Sequence, residues 1–167
     1  MRRMKILNIY RILFFLIVYT SLFCFIEGCS KKPIFPQSLN NLQLVKMIRG
    51  EEAIKEVADL HGKNISIKDA WVAYYGKSRS NNAVVWISRS ISLHQALKQT
   101  DLMMKKIMKN GNSPFHHLKI TKRSNLKVFT FLGMHQKHAV FQKKTDIYWI
   151  SASQKVFKGV LEHCLRM

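Results

Sequence analysis

Hydrophobic and polar positions first separate an apolar leader from the rest of the chain. Residues 12–26 are almost all apolar and follow a start that holds four Lys or Arg in residues 1–11. As a helix at roughly 1.5 Å per residue, this run spans about 22 Å, less than a hydrocarbon core of about 30 Å. A basic start, a short apolar run and a small residue such as Gly28 are typical of an export signal, so we predict that residues 1–28 are removed.

After a proline-containing tether at residues 29–37, the pattern predicts helix. Apolar residues recur at three-residue steps from Leu39 to Ile48, with Ser38 as a possible N-cap, until Gly50 breaks the run. Glu51 and Glu52 then open a second helical stretch, because acidic residues stabilise the positive end of a helix. Its predicted apolar face holds four residues: Ala53, Ile54, Val57 and Leu60.

The remaining pattern predicts six strands and two further helices. Two β-like segments, at about 65–75 and 83–88, are joined by a polar loop and read as an antiparallel pair. A helix capped by Ser90 or Ser92 follows, then four short strands at about 116–121, 126–133, 137–143 and 146–152, and a last helix that starts at Ser151 or Ser153. Short polar turns favour antiparallel neighbours. The predicted fold is therefore a single α+β domain over residues 38–167, a mostly antiparallel sheet of about six strands with two or three helices packed on one face.

The end of the leader resembles the lipobox of bacterial lipoproteins. The order Ile26-Glu27-Gly28-Cys29 has the branched apolar residue, the small residue and the cysteine of that motif, while Glu27 departs from the usual small residue at its position. The resemblance implies that Cys29 is acylated and becomes the first residue after cleavage. The protein would then sit outside the cytoplasm, anchored to a membrane through Cys29, and several acyl chains would make that anchor stable. An uncleaved signal anchor is the alternative.

Charge narrows the expected partners. Without residues 1–28, 24 Lys and Arg face eight Asp and Glu, which gives a formal net charge of about +16. Such a charge favours anionic lipids or wall polymers, and an envelope protein partner is also possible; nucleic acid is not expected for an exported protein. The basic residues are scattered along the sequence, so a solvated surface is the simplest interpretation.

Candidate chemistry is sparse. His135 and His138 are a speculative ligand or metal pair, although residues three apart on a strand point to opposite faces. Cys164 lies on the apolar stripe of the last helix and is interpreted as a core residue, as are the helical methionines. Aromatic residues in the strands could stack on a ligand but more simply fill the core. The sequence matches no common catalytic or cofactor motif, so we predict no cofactor and no metal site.

These observations leave three functional hypotheses. The first is a non-enzymatic, membrane-anchored lipoprotein whose domain binds an envelope component. The second is an envelope enzyme with a site near His135, His138 and Asp69. The third is a purely electrostatic binder of anionic envelope surfaces.

Overall fold

The computed structural model describes residues 32–61, 66–78, 81–109 and 113–167. The predicted signal and Cys29 lie outside these residues. The described elements belong to one compact unit, Pro33–Met167. In chain order they are β1 (Ser38–Leu39), β2 (Leu42–Arg49), α1 (Glu51–His61), β3 (Asp69–Ser78), β4 (Asn81–Arg89), α2 (Leu93–Lys109), β5 (Phe115–Arg123), β6 (Leu126–Gly133), β7 (Gln136–Lys143), β8 (Asp146–Ala152) and α3 (Gln154–Arg166).

The strands form one antiparallel sheet of eight in the order β1-β2-β3-β4-β8-β7-β6-β5. This confirms the α+β class, and the four strands after α2 lie where the pattern predicted them. The sheet has two strands more than expected. Two-residue turns with positive φ at both positions join β1 to β2, β5 to β6 and β6 to β7, which is the turn geometry that suits the twist of a β-hairpin.

The helix predicted between Ser38 and Gly50 is wrong, since this segment forms β1 and β2. A bulge between Leu44 and Lys46 shifts the register of β2 against β3. Because of that shift, Leu42 lies in the core under α3 whereas Ile48 lies in the core under α1. The apolar residues that we interpreted as one helical face therefore do not share a face, since Val45 is exposed and Leu42 and Ile48 lie on opposite sides of the sheet. The helix predicted from Glu51 is confirmed as α1, with Ala53 and Val57 buried.

Helices cover both faces of the sheet rather than one. Alternate residues of β3 show this: Trp71, Ala73 and Tyr75 belong to the core beneath α3, while Ala70 and Val72 belong to the core beneath α1. Helix α2 packs on the second of these faces, over β7 and β8. We call the surface under α3 the single-helix face and the other the two-helix face.

Candidate functional site: a basic groove

The positive charge of the domain is concentrated in one part of the chain. Residues 102–145 hold ten Lys or Arg and no Asp or Glu. The sequence interpretation treated the basic residues as scattered and missed this acid-free stretch, which a running count of charge would have found. In the fold, the stretch supplies the end of α2 and the strands β5, β6 and β7, at one edge of the sheet.

On the single-helix face, a groove of about 210 Å³ separates the β5–β7 strands from helix α3. Its floor and rim come from strands and its wall from the helix. We call it the basic groove and define it by eight residues: Lys119, Thr121, Arg123, Thr130, Lys137, Phe157, Lys158 and Leu161.

Strand geometry places the floor of the groove. Lys119, Thr121 and Arg123 alternate along β5, so their side chains share one face of the sheet. The register pairs Lys119 with Thr130 on β6. The hydroxyl of Thr130 donates to the carbonyl of Lys119, with an oxygen–oxygen distance of 3.4 Å. Burial of an ammonium group would cost free energy, but Lys119 and Lys158 are both exposed, so their ammonium groups stay hydrated beside the groove.

The helix wall is apolar at its base and charged at its rim. The ammonium nitrogen of Lys137 lies 4.9 Å from the ring centroid of Phe157, which is a cation–π contact between strand and helix. At the other side, the guanidinium of Arg123 donates to the carboxylate of Glu162. Four basic side chains therefore surround the groove, and one of them, Arg123, is paired with the carboxylate of Glu162.

One polar atom in the groove has no partner. The hydroxyl oxygen of Thr121 is buried and makes no hydrogen bond within the described part of the chain. Leaving a buried hydroxyl unpaired costs roughly 1–3 kcal/mol. Thr121 lines the groove, but its hydroxyl oxygen is shielded from the solvent that fills the groove.

His138, one of the two predicted ligand histidines, is buried on the two-helix face. Its Nε2 donates to the carbonyl of Gly133 at 3.0 Å, and its Nδ1 accepts from the indole nitrogen of Trp149 at 3.3 Å. These contacts require the neutral ring, and burial lowers the pKa of His138 below its ordinary value, against the opposing effect of the Gly133 hydrogen bond. Both ring nitrogens are thus occupied by protein groups.

His135 lies instead in the exposed β6–β7 turn, with φ of 61°. A shared ligand role for His135 and His138 stays a hypothesis, and it would require His138 to give up both hydrogen bonds. Among the described residues, no three His, Cys, Asp or Glu side chains come close enough to hold a metal ion together.

The adjacent histidines of β5 lie close together, although successive residues of a regular strand point to opposite faces. A register shift follows His116, and His117 has a positive φ of 57°. The shift brings the two rings together, with centroids 4.7 Å apart and the two Nδ1 atoms facing each other. Both side chains are exposed.

Asp69, the acid of the enzyme hypothesis, lies at the far end of the sheet from His138. Asp69 pairs with Arg89, which pairs in turn with Asp146, whereas His138 pairs with Ser151. Asp146 and Ser151 are five positions apart along β8, or about 17 Å at 3.4 Å per residue. The register therefore does not bring Asp69 and His138 into one pocket.

Other groups that could carry chemistry are part of the core. Cys164 is fully buried beneath the sheet, and burial raises the pKa of its thiol to about 12. Trp86 donates from its indole nitrogen to a carboxylate oxygen of Glu56 at 2.8 Å, and Tyr74 donates to the other oxygen, which fastens α1 to the sheet. Met104, a residue of α2, is buried in the core between this helix and the sheet.

No protein-family model matches this chain, and neither the curated proteins nor the solved structures contain a significant match to it. In the part of the chain that the structure describes, no helix combines the length and apolar character needed to cross a membrane.

Proposed function

We propose that this chain is an exported lipoprotein, anchored to a membrane through lipid on Cys29, whose α+β domain binds anionic groups of the cell envelope without catalysis. The observation that carries the proposal is the basic groove, where four Lys or Arg side chains surround one concave surface. A concentration of one sign of charge in a concave site attracts ligands of the opposite sign.

The burial of the other reactive groups supports binding rather than catalysis. His138 uses both ring nitrogens for internal hydrogen bonds, and the thiol of Cys164 is buried with a raised pKa. The basic residues of the groove surround an open surface, although Arg123 donates to Glu162 and the ammonium group of Lys137 lies over the ring of Phe157. The lipid anchor and the groove would act together, since an anchored domain meets the anionic surface at high local concentration.

The anchor is tested by metabolic labelling with a fatty-acid analogue in a bacterial host. We expect label on the wild-type chain and none on Cys29→Ser. Cys164→Ser is the matched control, because this thiol is buried in the domain, and it should label like the wild type. Equal labelling of wild type and Cys29→Ser would refute the anchor.

Groove binding is tested with the full chain in non-ionic detergent, which holds the leader and the lipid, and with a water-soluble anionic polymer as the ligand. The groove variant replaces three lysines, Lys119, Lys137 and Lys158, by Gln. The control replaces three exposed lysines of α2, Lys98, Lys105 and Lys106, by Gln, which removes the same charge from another surface. We expect the groove variant to lose at least about tenfold in affinity and the control to lose much less, with wild-type binding that weakens as salt increases.

Equal losses in the two variants would mean that net charge alone drives binding, and the groove would have no special role. Unchanged binding in both would refute an anionic partner.

A further inference from the structure

We infer that the outer edge of β5 is a binding site for an extended, acidic segment of a partner protein, which adds one more strand to the sheet. Strand β5 has a single neighbour, β6, among the described strands, so its other edge is open to a partner. The inference rests on the proposed function, because the added strand would lie beside the basic groove, and it names the class of partner.

The two edges of the sheet differ in length. One ends in β1, which has only two residues, and a very short edge strand is one way in which proteins prevent unwanted pairing. The other ends in β5, which has nine residues. Its register with β6 is irregular between His116 and Lys119 and regular from Lys119 to Arg123. The second half of β5 therefore offers a regular, open edge.

The turn after β5 determines which backbone groups lie on that edge. Ser124 and Asn125 have φ of 47° and 63° and form a two-residue turn that closes the hairpin after Arg123. The carbonyl of the residue before such a turn accepts from the amide of the residue after it, so the backbone groups of Arg123 point towards β6. Because these directions alternate along an antiparallel strand, the N–H and C=O groups of Ile120 and Lys122 point outward from the sheet.

The side chains beside this edge specify the partner. Lys119 and Arg123 lie on the single-helix face at the groove, whereas Ile120 and Lys122 lie on the two-helix face. Ile120 is 52% exposed, which leaves an apolar surface at the edge. An added strand also places alternate residues on the two faces. It fits best when its acidic residues lie beside Lys119 and Arg123 and an apolar residue lies beside Ile120.

A pair of like charges next to the edge also favours an acidic partner. Lys122 lies directly opposite Lys127 on β6, and both side chains are exposed. Like charges at opposite positions destabilise a sheet. The ammonium group of Lys127 lies 4.8 Å from the ring centroid of Phe129, but neither lysine forms an ion pair within the described part of the chain. A carboxylate on the added strand would reduce this repulsion.

The same charges disfavour a second copy of the chain at this edge. Strand β5 carries two lysines, one arginine and no acidic residue. Two such edges side by side would bring cations together, and lysines on edge strands are a common means of preventing pairing between copies. The edge therefore repels its own copies and attracts a strand of opposite charge.

The test is fluorescence anisotropy of labelled, end-capped octapeptides with the full chain in non-ionic detergent at pH 7.5. In one peptide glutamate and valine alternate, and in the other four glutamates precede four valines. Only the alternating peptide places its carboxylates on one face of a strand and its valines on the other. We expect it to bind at least about tenfold more tightly, a factor that about two or three cross-strand side-chain pairs supply. Equal affinities would overturn the inference.

N-methylation of the alternating peptide separates strand pairing from charge attraction. In an antiparallel partner the valines lie beside Ile120 and point their backbone N–H groups towards β5, whereas the glutamate N–H groups point away. Methylation of two valine nitrogens should therefore weaken binding at least about tenfold. Methylation of two glutamate nitrogens is the matched control and should weaken it much less. A parallel partner would reverse the two results and would also support the inference, whereas equal effects would overturn it.

Two variants locate the site on β5. Ile120→Pro removes an outward N–H without removing a hydrogen bond to β6, and edge strands accept proline at such positions. We expect it to bind the alternating peptide at least about tenfold more weakly. Ile120→Val keeps the N–H and most of the apolar surface and should bind like the wild type. Wild-type affinity in an Ile120→Pro chain that is folded by circular dichroism would refute the site, and the methylated peptides test it on the unaltered chain.

The inference and the proposed function fail separately. Polymer binding that depends on the three groove lysines, together with equal affinities for the two octapeptides, refutes only the edge site. A wild-type chain that binds neither the polymer nor the peptides refutes both.

Discussion

Removing the carboxylate of Asp146 should destabilise this domain more than the loss of any exposed ion pair. Arg89 and Asp146 face each other across β4 and β8, and the guanidinium donates twice, from Nε to Oδ1 at 2.6 Å and from Nη2 to Oδ2 at 2.8 Å. Their side chains are only 8% and 15% exposed. The guanidinium carbon also lies 4.8 Å from the ring centroid of Trp71. Asp146→Ala would leave this cation buried without its main partner.

The structure sets the expected magnitude. Breaking a buried ion pair by removing one partner costs about 3–5 kcal/mol. The loss should fall near the lower end of this range, because a second carboxylate, that of Asp69, also acts on Arg89. Both acids raise the pKa of Arg89 above its ordinary value, Asp146 more strongly than Asp69. We therefore expect Asp146→Ala to reduce the free energy of unfolding by about 3 kcal/mol. For a domain of this size, that corresponds to a fall in Tm of roughly 10–15 °C.

The measurement is urea and thermal unfolding of the full chain, followed by circular dichroism. Glu52→Ala is the control, since it breaks the Lys46–Glu52 pair, whose side chains are 58% and 65% exposed. An exposed pair contributes at most about 1 kcal/mol. In the double variant Arg89→Met/Asp146→Leu both charges are absent, and it should recover much of the loss. A loss for Asp146→Ala no larger than that of Glu52→Ala would show that desolvation of Arg89 does not govern this pair.

Two further predictions concern buried titratable groups. Because burial lowers the pKa of His138 below 6.5, the unfolded chain takes up a proton before the folded chain does, so stability should fall as pH decreases from 6.5 towards the folded pKa. His138→Gln keeps one donor and one acceptor but cannot titrate, so the stability of this variant should depend less on pH in this window. Some pH dependence should remain, because burial and Arg166 also lower the pKa of His163. An unchanged pH dependence would contradict the buried neutral state of His138. For Cys164, the rise in the thiol pKa from 9.0 to about 12 reduces the thiolate fraction about a thousandfold. Iodoacetamide should therefore leave Cys164 unmodified in the folded protein and modify it in denaturant, as read by peptide mass spectrometry, and rapid native labelling would contradict its burial.

Local sequence signals determined most of the elements in this domain. Strands β5 to β8 are short alternating segments separated by polar turns, and α2 and α3 carry long helical stripes with serine near their start. Ser92 indeed accepts a hydrogen bond from the backbone of Gln95 at 3.2 Å. Such signals depend on neighbours within about ten residues, so the sequence alone carries them.

Other features depended on contacts between distant residues. The bulge in β2 exists because β3 fixes its register, and from the sequence alone the same apolar spacing indicated a helix. Helix α3 lies opposite α1 and α2 because its stripe meets one set of alternate side chains in the central strands, which no local pattern reveals. The groove follows from the same assembly: Lys119, Lys137 and Lys158 come from three elements, and only the order of strands and the placement of α3 bring them around Thr121. The sequence by itself determined the net charge, the lipobox-like leader and most of the elements, because these are local properties of the chain. The tertiary structure decided where the charge converges, because sheet register and helix packing join residues that are far apart in sequence.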